Sequence, residues 1–134
     1  MTASALVTAA MAAQAPFGER IYLALCLVLL GAVLVTMGRM GARRALAPNA
    51  LFGIRTKRTL SSDRVWYEVH AAAAPWSLAA GVVAFIGIIP VLLLEEDLSV
   101  SAVLVGVCAS VVVLSVGAVR ALRRVAAPGE ETDR

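Results

Sequence analysis

Three stretches of the chain, Ile21 to Met37, Ala71 to Leu94 and Leu98 to Val119, contain no Lys, Arg, Asp or Glu. At about 1.5 Å per helical residue, a run near 20 residues matches a hydrocarbon core of about 30 Å. Within that layer an open chain satisfies its own backbone hydrogen bonds only as a helix. Three crossings are therefore predicted over about 21–38, 71–94 and 98–119. The first is lengthened at its ends by Arg20 and Arg39, whose aliphatic stems can lie in the apolar layer while their heads stay wet. The composition agrees. It is 60% hydrophobic and 16% charged, against about 45–50% and 25% for soluble domains. The expected fold class is an all-α integral membrane protein, a single domain across residues 1–134, with a structured basic loop between the first and second helices.

The basic residues set the expected orientation, because Lys and Arg are retained in cytoplasmic loops while acidic residues matter little. Arg39, Arg43, Arg44, Arg55, Lys57, Arg58 and Arg64 follow the first span, and Arg120, Arg123 and Arg124 follow the third. The connection between spans two and three is Glu95, Glu96 and Asp97. This layout predicts a multi-pass protein of the cytoplasmic membrane with its amino terminus outside, the first loop inside, the acidic turn outside and the carboxyl terminus inside. Residues 1–16 lack the basic start of a signal peptide and are expected to form a short external or interfacial helix rather than to be cleaved. The tail from Pro128 is expected to fray.

Small residues at helical spacing, Gly31 and Gly38 in the first span and Ala102, Gly106, Ser110 and Gly117 in the third, allow close helix approach. Packing within the bundle is the expected use, and a homo-oligomeric seam is the alternative. Cys26 and Cys108 fall inside the spans without metal-ligand spacing and read as small packing residues. No metal, no cofactor and no direct contact with nucleic acid is expected.

The remaining segment, Pro48 to His70, is a polar, basic and aromatic island. Pro48 and Asn49 mark a turn. Leu51, Phe52 and Ile54 around Gly53 are too apolar for a fully solvated loop, so this piece is expected against the bundle or in the interface. Ser61 or Ser62 offers a hydroxyl as helix N-cap, with Ser61 preferred, and Asp63 suits the positive end of the helix dipole. The helix starting there is expected to run into the second span, with Pro75 as the kink. Trp66 and His70 share a face four residues apart, while Tyr67 and Trp76 suit an interfacial belt. Arg55, Lys57 and Arg58 precede a helix start and suit an anion or an acidic partner. Arg55, set between Ile54 and Thr56, is expected to have a specific partner.

Asn49, then Gly53, Ile54, Arg55 and Thr56, then Thr59, Leu60 and Ser61, then Trp66 and His70 form a pattern that resembles the signature of the SdpI family. These are membrane immunity proteins against a secreted toxin that delays sporulation. The densest likeness covers Asn49 to His70, and one span before and two after fit the small members of that family. The resemblance implies protection against a membrane-active protein or peptide toxin. It also implies signalling through a winged-helix transcriptional repressor held at the membrane, for which the basic loop is a reasonable docking surface. The chain departs from the larger members in having no additional membrane domain ahead of the signature. The functional residues implied are Asn49, Gly53, Ile54, Arg55, Thr56, Thr59, Ser61, Trp66 and His70.

Three classes of function are compared. In the first, a binding protein, the toxin is met outside by the acidic turn and the outer span ends, and the inner loop reports occupancy. In the second, an enzyme or transporter, Arg55, His70 and Glu68 would form a polar cluster, but the spans hold no carboxylate and the sequence shows no nucleophile–base or metal-ligand pattern. The third is an accessory membrane subunit whose basic loop binds anionic lipid or a partner protein. The expected function is the first, without catalysis, and the third is the alternative.

Overall fold

A computed structural model describes the backbone of residues 3–49, 51–94 and 96–126 and the side chains of 18–49, 51–94 and 98–125. The described elements are helices: α1 (Ala3–Ala42), α2 (Asp63–Ile86), α3 (Ile88–Leu93) and α4 (Glu96–Ala126). Three segments are long and apolar enough to cross a membrane, Gly18–Ala42, Asp63–Leu93 and Leu98–Val125. The protein is thus a multi-pass, all-helical membrane protein. The acidic turn lies largely outside the described residues, since Glu95 is not described and only the backbone of Glu96 and Asp97 is; the tail beyond Ala126 lies outside them altogether.

One expectation about the helices needs correction. The backbone of residues 3–17 is not a separate short helix but continues without a break into the first span. The second span is divided at Gly87 into α2, which contains Pro75, and α3. Pro90 accounts for the interruption: it has no N–H to donate to the carbonyl of Ile86, and its ring crowds the preceding turn. Gly87 still donates to Val83 O at 3.0 Å and keeps helical backbone angles, so the interruption is confined to one residue. Ser99 then ties the start of α4 to the end of α3, its buried hydroxyl lying 3.1 Å from Val91 O and 3.2 Å from Leu94 O.

Helix α2 is the middle element and packs against both α1 and α4. The α1–α2 seam is close because glycines line it. A Cβ at Gly31 would lie 2.8 Å from the Phe85 ring, at Gly38 2.8 Å from Leu78, and at Gly41 2.7 Å from the carbonyl of His70. Between helices in a membrane, such close approach replaces the hydrophobic effect as the source of cohesion. Gly106 faces Leu27 and Gly87, Gly117 abuts Trp76, and Ser110 is buried with its hydroxyl on Gly106 O at 2.8 Å. These small residues therefore serve contacts inside the bundle. Cys26 and Cys108 are exposed free thiols rather than buried packing residues.

Helix α1 ends in a Schellman turn. Ala45 N–H donates to Met40 O at 2.8 Å and Arg44 N–H to Gly41 O at 3.0 Å, while Arg44 takes φ 53°. This left-handed position is usually glycine, and a side chain there costs about 1 kcal/mol. The turn sends the chain back across the end of the bundle as the 45–62 loop.

Candidate functional site

The loop is fixed to α2 by two aromatic residues one helical turn apart. Trp66 is fully buried, and its indole N–H donates to Leu46 O at 2.8 Å. His70, 5% exposed, lies against it with ring centroids 4.2 Å apart. The His70 ring bridges helix and loop. Its Nδ1 lies 2.7 Å from the carbonyl of Trp66, and its Nε2 accepts the Ile54 N–H at 2.8 Å. A carbonyl can only accept, so the proton sits on Nδ1 and the Nε2 lone pair faces the loop. The ring is neutral in this arrangement, with both nitrogens engaged.

Gly53 lets the loop come this close. Its φ of 111° is in the left-handed half of conformational space, and a Cβ there would collide with His70 Nε2 and lie 3.0 Å from the Trp66 ring. Both constraints exclude a side chain. One residue on, Ile54 packs against the cluster of Val69, Ala73 and Ala121, together with Val65, Leu122 and Val125. The loop is thus seated on α2 and α4 at once. Of the three apolar loop residues expected against the bundle or in the interface, Ile54 is the one seated on the core. Leu51 and Phe52 are exposed, at 81% and 50%. The deeply buried apolar residue of the loop is Leu46, which the sequence reading passed over.

On either side of this anchor the backbone is closed locally. Asn49 Oδ1 accepts from the amides of Leu51 at 3.0 Å and Phe52 at 2.7 Å, and its Nδ2 donates to Ala47 O at 2.9 Å. This is the Asx turn that makes Asn a turn residue. Thr59, 1% exposed, accepts from the Thr56 amide at 2.8 Å and donates to Ile54 O at 2.7 Å, while Thr56 Oγ1 accepts the Thr59 amide at 3.1 Å. Ser61 caps that turn by donating to Arg58 O at 2.7 Å. The N-cap of α2 is Ser62, whose hydroxyl accepts the Val65 amide at 3.3 Å, so the preference for Ser61 is corrected. Ser61 is already committed to Arg58, which leaves the next hydroxyl for the helix.

Seven of the nine residues singled out from the sequence thus hold the loop by their own bonds or, for Gly53, by having no side chain; an eighth, Ile54, holds it by packing and through its amide. The ninth, Arg55, is exposed, as are Lys57 and Arg58, while its neighbours Ile54 and Thr56 are pinned from inside. The loop therefore presents a cluster of cations on a backbone fixed at both sides. Arg58 also reaches Val125 O at 3.5 Å, and Arg120 stands 4.8 Å over the Trp76 ring, so loop and α4 place their basic residues at the same end of the bundle. Trp76 is packed on α4 rather than serving only as a belt residue. Glu68 pairs with Arg64 at 3.0 Å one turn along α2, and is not joined to His70 in a polar cluster.

Spanning helices with a loop folded back onto their end define a multi-pass membrane protein with a structured segment between its first two crossings. The model of the SdpI/YfhL protein family matches residues 45–119, from the start of this loop through most of α4. The chain belongs to that family. Comparisons with curated proteins and with solved structures give no match.

Proposed function

We propose that this chain is an immunity protein of the cytoplasmic membrane, which protects its cell by binding a membrane-active protein or peptide toxin and passes occupancy to a winged-helix repressor at its basic loop. In this reading the amino terminus is outside, the loop and carboxyl terminus are inside, and the outer span ends meet the toxin. Family membership supports the immunity role. The common placement of the loop cations and the α4 arginines supports the orientation, since one end of the bundle then carries the positive charge. Binding rather than catalysis fits a histidine with both nitrogens in structural hydrogen bonds and a glutamate paired to arginine. The single observation that carries the proposal is Arg55, exposed within the family signature and flanked by two immobilised residues.

The test is survival of a deletion strain, alone or carrying the intact gene or its Arg55→Ala form, in toxin-containing supernatants of related bacteria. The intact gene should protect. Arg55→Ala should lose at least about 1.4 kcal/mol of partner binding, about tenfold, and with it protection or signalling at unchanged protein level. Equal survival of all three strains would contradict the proposal. Altered localisation of Arg55→Ala with unchanged toxin sensitivity would favour an accessory subunit instead.

A further inference from the structure

Between α1 and the returning loop lies an apolar groove of about 580 Å³. Its floor is the α1 face formed by Ala32, Thr36 and Met40, and its wall is the loop segment with Leu46 and Phe52. That volume is within the range of about 300–1,000 Å³ typical of small-ligand sites. The polar lining residues are Thr36 and Asn49, and the Asn49 side chain is already committed to the loop backbone.

Three observations say what fits there. First, Ala32, Thr36 and Met40 follow one helical stripe and the lining resumes at Ala45, so the chain between them carries the exposed Arg43 and Arg44, with the exposed Arg39 beside Met40 on α1. Second, from Ala32 to Met40 the helix rises about 12 Å, close to half of a hydrocarbon core of about 30 Å. An apolar slot one leaflet deep with cations at its mouth matches a phospholipid with its phosphate uppermost. Third, the turn that ends α1 fixes the backbone of Arg44 at φ 53°, so its exposed side chain projects from a set position at the start of the loop wall. The wall is also rigid, because the Leu46 carbonyl is held by Trp66.

We propose that this groove holds one acyl chain of an anionic phospholipid, with the phosphate gripped by Arg43 and Arg44. Arg55 is not among the residues that line the groove, so failure of this site would leave the immunity reading untouched. The test uses the full chain purified in detergent, with phosphatidylglycerol or phosphatidylcholine of the same chain length. Lipid retention is read by native mass spectrometry, and thermal unfolding is followed alongside.

The intact protein should retain phosphatidylglycerol about fivefold more than phosphatidylcholine and unfold at a higher temperature with it. Inorganic phosphate should not reproduce that shift. Arg44→Gly should abolish the lipid preference while the lipid-free protein unfolds at the same or a higher temperature, a pair of results that general destabilisation cannot give. Thr36→Trp, which fills the groove from an exposed position, should reduce retention of both lipids. Equal retention of the two lipids, an unchanged preference in Arg44→Gly, an equal shift with phosphate alone, or a second protein copy covering the groove would each overturn the proposal.

Discussion

Gly53→Val should release the loop while leaving the three crossings helical. The substitution forces a β-branched residue to φ 111° and drives its Cβ into His70 Nε2. The backbone conformation alone costs about 1–2 kcal/mol. Displacing the Ile54 amide from its histidine acceptor adds about 1–3 kcal/mol for a part-buried donor left unpaired. A total near 3 kcal/mol raises the open-loop population about 100-fold. Arg55, Lys57 and Arg58 make the loop a natural tryptic site, so the expected result is rapid cleavage there in the variant, with far-ultraviolet circular dichroism unchanged. Cleavage at the rate of the intact protein would mean that the close approach of Gly53 to the aromatic pair does not hold the loop.

Trp66→Ala is the second large effect. It removes the largest fully buried side chain of the bundle and, with it, the donor for Leu46 O and the ring against which His70 lies. Large-to-small changes of this kind cost about 3–5 kcal/mol. The protein in detergent should unfold at a clearly lower temperature. Trp66→Phe, which keeps most of the volume but not the indole N–H, should recover most of the loss and leave a residue of about 1–2 kcal/mol for the unpaired carbonyl. An equal loss in the two variants would assign the effect to the hydrogen bond alone.

The difference between what the sequence revealed and what it did not is physical. Charge-free runs near 20 residues leave the chain few alternatives, so the three crossings were legible. The interruption at Gly87 was not, because Pro75 and Pro90 have the same local chemistry and the sequence does not distinguish the proline that a helix absorbs from the one that breaks it. The shared face of Trp66 and His70 followed from helical spacing. Periodicity could not reveal that the other nitrogen of His70 takes an amide 16 residues earlier in the chain, because it says which side chains neighbour one another on a helix, not which loop returns to them. Asn49 was legible as a turn residue and is one, whereas Thr56 and Thr59 entered through the family pattern and their roles emerged only as local hydrogen bonds. The assignment of the N-cap to Ser62 rather than Ser61 depends on which hydroxyl the preceding turn has already engaged.

The loop is a folded surface, fixed by His70 and Gly53, that presents Arg55 from a held backbone. Amide hydrogen exchange at Ile54, in the purified protein and in its His70→Leu variant, tests this most directly. The prediction is slow exchange in the intact protein and exchange at least tenfold faster in the variant, which keeps a buried apolar side chain but offers no acceptor. Exchange at Ile54 as fast as in an unstructured peptide, in both proteins, would show that the loop is not held on the bundle and would contradict the account.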